Sequence, residues 1–196
     1  MDRSEDAEHY VSALWRTLRV AESPGARALA ERLFGRGAVV WFGSAAIGQV
    51  ADHGGKARVV VPRASSAALS HWQIGHALAD WLLERDGVLA LERRALRAGV
   101  AATIVLPPDQ VIDFAPSLGA VEVARLLTLP VAATLLREAE VSRVPTALVA
   151  PGYTRTRGDD AGRLPRDRAG LALLASSNVI GVRRYVVPEG VVIRLT

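Results

Sequence analysis

The sequence predicts an α+β protein: a helical domain carrying a small β-sheet, then a pair of short helices, then a small C-terminal α/β unit. Three observations carry this. Apolar residues recur at helical spacing through most of the first half of the chain, which marks amphipathic helices. Two short valine-rich runs, Ala38–Phe42 and Ala57–Pro62, interrupt that pattern and flank a glycine-rich stretch, as strands and turns do. After Pro107-Pro108 the pattern changes, first to short helical segments and then to β-like runs. The expected divisions are 1–117, 118–142 and 143–196.

Val11, Leu14, Trp15 and Leu18 lie at helical spacing, so residues 5–20 form a first helix. Ser23-Pro24, an N-cap followed by proline at the first helical position, opens a second helix that runs to about Leu33. Gly35 and Gly37 stop it, and the two β-like runs follow. Between them Gly43–Gly55 reads as turns around a short strand, with Ile47-Gly48-Gln49 and Asp52-His53-Gly54-Gly55 as its turn signals. A long helix is expected from Ser65 to Arg85, broken near Asp86-Gly87 and resumed from Val88 or Leu89 to Leu106. Glu122–Arg137 has the length and spacing of a helix-turn-helix. Its second helix offers Ala132, Ala133 and Thr134, with Arg137 alone able to reach a phosphate or guanine, so base readout has few side chains to use. Pro145–Ala150 reads as a strand, Arg155–Arg168 as a polar loop, and Ala169–Ser176 as a short helix. Arg184–Arg194 reads as a hairpin turning at Pro188-Glu189-Gly190.

Composition removes several function classes. Half of the 196 residues are hydrophobic and 22% are charged, a globular balance. With no cysteine there is no disulfide, no thiolate metal site and no thiol nucleophile. The net charge of +4 comes from scattered arginines, Lys56 being the one lysine, and gives no dense basic cluster for nucleic acid. The opening residues are too acidic for a signal peptide and no apolar run reaches the length of a membrane span, so a cytoplasmic protein without membrane contact is expected. Ser65-Ser66 and Ser176-Ser177 lack a nucleophile-elbow setting, and the glycines of 43–55 match neither phosphate-binding nor dinucleotide patterns.

The stretch Leu69–Glu84 carries the strongest signal. An H-E-x-x-H helix presents two imidazoles to zinc on one face, with the intervening glutamate as general base. Here those functional positions read His76, Ala77 and Asp80, inside an intact apolar frame of Ile74, Leu78, Ala79, Leu82 and Leu83. One ligand remains, the base is an alanine, and the second imidazole is a carboxylate. His76, Asp80 and Glu84 share one helix face at i, i+4 and i+8, but Glu84 lies about 12 Å along the axis from His76, too far to share an ion. Trp41, Trp72 and Trp81 read as core or groove aromatics, and Arg93, Arg94 and Arg97 as a solvated helix face that could also grip an acidic partner.

In this order the elements resemble the ImmA/IrrE family, zincin-like proteins that partner helix-turn-helix repressors. The resemblance runs over roughly residues 8–150, through Ala28–Leu33, the small sheet, the His76 helix and the Ala101–Pro107 end of the next helix. It implies a zincin-like fold for residues 1–117. It also implies a third zinc ligand, a glutamate, at or near Leu96, whereas the nearest carboxylate in this sequence is Glu92. Three of four catalytic positions thus depart from the family's pattern. No catalytic residue and no metal cofactor are therefore expected; zinc, if held, would use His76, Asp80 and Glu92. The alternative is a His76–Asp80 hydrogen-bonded pair closing the old pocket. The expected function is an inactive pseudo-peptidase that binds a protein partner, a helix-turn-helix repressor. Its groove would be lined by His71, Trp72, His76, Asp80 and Trp81, with Ala57–Val61 as the sheet edge that receives the peptide. Two alternatives stand: an active zinc endopeptidase with a rearranged site, and a DNA-binding regulator acting through residues 118–141.

Overall fold

A computed structural model describes residues 3–19, 25–43, 45, 47–159 and 162–196, with the backbone alone at 3–5, 115 and 116. The protein is α+β, and it divides into two compact units, Met1–Pro107 and Pro108–Thr196. The expected Ser23-Pro24 helix start lies outside the described residues. No helix among those described is long and apolar enough to cross a membrane.

The first unit comprises α1 (Arg3–Thr17), α2 (Ala26–Phe34), β1 (Val39–Phe42), β2 (Gln49–Asp52), β3 (Ala57–Pro62), α3 (Ala67–Arg85) and α4 (Ala90–Val105). Ser66 starts α3 by accepting a hydrogen bond from the Leu69 N–H, which satisfies one of the free donors of the first turn. Gly87, in the left-handed region at φ 74°, lets the chain reverse into α4. The two helices form a hairpin whose inner face buries Leu78, Leu82, Leu83, Val100 and Ile104 completely. α1 packs on α4 through Ala7, Val11 and Leu14. Gly75 sets the closeness of the hairpin. A Cβ there would stand 2.3 Å from Val105 Cγ2 and 3.3 Å from the Ala101 carbonyl. Glycine costs about 1 kcal/mol of helix propensity at such a position, and the close packing offsets it.

The sheet has the order β1-β3-β2, with β1 parallel and β2 antiparallel to β3. This corrects one expectation. Ala57–Val61 lies in β3, the central strand, and so cannot receive a peptide. The free edges belong to β1 and β2. The physical reason is visible in the burial: Val59, Val60 and Val61 are an unbroken apolar run covered on both faces, as a central strand requires.

The second unit comprises α5 (Pro108–Leu118), α6 (Ala120–Leu126), α7 (Val131–Ser142), β4 (Thr146–Ala150), β5 (Tyr153–Arg157), α8 (Arg168–Ser176), β6 (Val182–Val187) and β7 (Gly190–Leu195). Its antiparallel sheet runs β5-β4-β7-β6. Along β4 and β7 the side chains alternate between two apolar layers. Leu148, Ala150 and Val192 pack with Leu135 and Leu136 of α7, while Ala147 and Ile193 pack with Leu171 of α8.

Two elements differ from the sequence reading. Pro107-Pro108 ends α4 as expected, yet Pro108 also begins α5, where its missing N–H costs nothing. The polar loop expected from Arg155 starts later, because Tyr153–Arg157 is the edge strand β5. Its Thr and Tyr residues are good strand formers, and an edge strand tolerates arginines on its solvent side.

α6 and α7 occupy the helix-turn-helix stretch, but Arg137 does not face solvent. It is 2% exposed, and its guanidinium meets the Glu140 carboxylate at 3.1 Å. Glu140 also accepts from Arg157 of β5, and Glu138 accepts from Arg194 of β7 at 2.6 Å. The reading of Arg137 as a phosphate contact is thereby corrected. Its charge is spent inside the unit, and on α7 only Ser142 is well exposed.

Candidate functional site

The degenerate motif lines a cleft of about 390 Å³ within the first unit. One wall is the chain leading into β2, Ile47 to Val50. The other is the face of α3 that carries Gln73, His76, Ala77, Asp80, Trp81 and Glu84, and Arg97 of α4 closes one side. Gly48 brings the walls together: a Cβ there would meet the Gln73 carbonyl oxygen at 2.7 Å, so only a residue without a side chain lets the backbone approach α3 this closely. Ser65 donates its hydroxyl proton to Gln73 Oε1 at 3.1 Å, which fixes the amide at the cleft mouth.

Charge in the cleft is set by the α3–α4 hairpin. Arg97 stands 4.0 Å from Asp80, and Arg93 stands 3.3 Å from Glu84. Both pairs are symmetric about Val88–Leu89, which gives the antiparallel register of the two helices. Glu92 then falls level with Arg85, about nine residues and ~13 Å of helix rise from the level of His76. It does not join His76 and Asp80. Among the described residues no three His, Asp or Glu side chains come together as a metal site. The cation of Arg97 occupies the α4 position opposite Asp80, and Ala77, 3% exposed, places a methyl group where a base would stand. These residues do not fit zinc.

Of the expected groove residues, His76, Asp80 and Trp81 line the cleft, and His71 and Trp72 do not. The helical turn explains both departures. His71 and Trp72 fall on the side of His76 away from Ala77, Asp80 and Trp81, about 140° and 40° around the axis in the opposite sense. Trp72 lies one turn before His76 and packs its indole edge-to-face against the imidazole, with centroids 5.3 Å apart. Trp81 is held from two sides, by Phe34 at 4.8 Å and by the Arg85 guanidinium over its ring at 5.3 Å. Arg85 also binds Asp86, which accepts a 2.6 Å hydrogen bond from the Tyr10 hydroxyl of α1. The Arg85 hydrogen bond, aided by that of Tyr10, holds the Asp86 carboxyl below its ordinary range. Burial, reinforced by the bond to Asp86, pushes the Tyr10 phenol up.

Sequence reasoning missed Gln73, Arg97 and the Ile47–Val50 wall. The signal for Arg97 was present: Asp80 and Glu84 are spaced i, i+4, as are Arg93 and Arg97, on helices joined by a short reversal. Nothing in the sequence marks which part of 43–55 returns to α3.

β2 pairs only with β3 among the described strands. The Val59 N–H donates to the carbonyl of Ala38, the residue before β1, so by alternation it is Arg58 and Val60 that bond to β2, at Ala51 and Gln49. The N–H and C=O groups of Val50 therefore point to the free edge. No protein-family model matches this chain, and no characterised protein matches it.

Proposed function

We propose that this chain is a catalytically inactive, ImmA/IrrE-like pseudo-peptidase that binds a regulatory protein, a helix-turn-helix repressor, without cutting it. The observation that carries this reading is the free edge of β2 beside an α3 cleft whose floor holds Ala77 and an Asp80–Arg97 pair. A peptide in extended conformation adds to such an edge through main-chain hydrogen bonds, which need no metal. Trp81, with Ile47 and Val50, supplies apolar contact, and aromatic anchors in desolvated clefts carry a large share of binding energy. Hydrolysis has little support from these groups: Ala77 stands at the general-base position of the motif, Asp80 and Glu84 are paired with Arg97 and Arg93, and the ligand set for zinc is incomplete among the described residues. A binder that does not turn over acts by sequestration, in proportion to its concentration and affinity.

The test uses a candidate helix-turn-helix repressor and two proline variants. Val50→Pro removes an N–H that faces the free edge and leaves the β3 ladder intact, as edge positions allow. Ala51→Pro removes a ladder hydrogen bond and serves as the folding control. We expect Val50→Pro to keep a cooperative thermal transition and to lose the repressor complex. A folded Val50→Pro protein that binds with native affinity contradicts the edge mode.

A further inference from the structure

A second cavity, of about 510 Å³, lies wholly within the second unit, on the α7 side of its sheet. Arginines reach it from three segments: Arg163 from the loop after β5, Arg183 from β6 and Arg194 from β7. Arg183 and Arg194 are directly opposite each other in the β6–β7 register. Like charges in that relation repel unless an anion lies near them. The carboxylate side chain that lines the cavity is Glu138, and it is bonded to Arg194 at 2.6 Å with both side chains mostly buried. No described side chain forms a hydrogen bond or ion pair with the guanidinium of Arg163 or Arg183. Among the described residues, two arginines that line one cavity thus lack a carboxylate partner. The apolar side chains of Val121 and Leu135 and the ring of Tyr185 line the remainder.

From this we infer that the cavity binds a small organic phosphate. Two guanidinium forks match the charge of a phosphate monoester, between −1.5 and −2 at neutral pH, and supply donors to its three oxygens. A single carboxylate would satisfy only one of them. The volume suits a ligand of nucleotide size, whose uncharged part would rest on Leu135, Val121 and Tyr185. This site is separate in the chain from the α3 cleft, so either can fail without the other.

The test is calorimetric titration of the full chain with adenosine 5′-monophosphate, inorganic phosphate and adenosine. We expect one or both phosphates to bind and adenosine not to. Arg163→Gln and Arg183→Gln should each weaken that binding about tenfold, the loss expected for one charge-assisted hydrogen bond. Both side chains are exposed, so the variants should fold. Arg184→Gln, which loses a bond to Asn178 next to the cavity arginine, should bind as the native chain does. The inference is overturned if neither phosphate binds, if the double variant binds unchanged, or if only duplex DNA binds, with a steep salt dependence.

Discussion

The guanidinium of Arg97 stands 4.0 Å from the carboxylate of Asp80, opposite the helix position that a zinc peptidase fills with its second imidazole. The charge that Asp80 meets comes from the chain itself. We expect the purified protein to bind no stoichiometric zinc, and the triple variant Ala77→Glu, Asp80→His, Arg97→Glu to bind it, because that change supplies two imidazoles and a carboxylate at one level. Elemental analysis of both proteins decides this. One zinc per native chain, lost in His76→Ala, would contradict it.

The same pair should matter little to stability. Both side chains are about half exposed, so Arg97→Gln is expected to change unfolding free energy by less than about 1 kcal/mol. Glu140→Ala should behave differently. It leaves the guanidinium of Arg137, which is almost fully buried, without this carboxylate, and such a loss costs about 3–5 kcal/mol. Urea denaturation of the two variants side by side checks the contrast.

Gly48 fixes the width of the cleft. Gly48→Ala places a methyl group against the Gln73 backbone and should cost about 1–3 kcal/mol while moving β2 away from α3. Gly43→Ala meets open space at an ordinary backbone angle and should lie within about 0.5 kcal/mol of the native protein. Equal melting temperatures for the two variants would show that the approach of β2 to α3 is not constrained there.

The Tyr10–Asp86 contact gives stability a pH dependence at both ends. Asp86 has a folded pKa below its unfolded value of about 4, so its contribution is present above that value and is lost as the pH falls through the folded pKa. The Tyr10 pKa is raised in the folded state, so its contribution is present below about pH 10 and is lost as the pH rises further. Tyr10→Phe should remove the alkaline loss and only part of the acid one, because Arg85 contributes more than Tyr10 to holding Asp86 ionised. Denaturant midpoints measured across both ranges test this. An unchanged alkaline slope in Tyr10→Phe would assign that slope to another group.

The sequence made the helices legible because a 3.6-residue period over long stretches has few rivals, and it made the α3 motif legible because its frame is dense in apolar residues. Strand order was not legible. Ala57–Val61 and Ala38–Phe42 have similar composition, and whether a strand is central depends on partners distant in sequence. The same limit hid Arg97 and Arg137. Arg97 lies on a solvated face, as its spacing suggests, but its contact with Asp80 was not legible; Arg137, the one side chain of its helix able to reach a phosphate, is buried beside Glu140, in a stretch that reads more readily as a packing unit. A buried arginine reads like a surface one until its carboxylate is located.

The most direct measurement of the central claim is intact-mass spectrometry of a candidate helix-turn-helix repressor during incubation with excess protein and zinc, with complex formation followed by size-exclusion chromatography. We expect a stable complex, unaffected by chelator, in which the repressor keeps its full mass. Repressor fragments that accumulate with time and disappear on adding chelator would contradict a binder that does not cut.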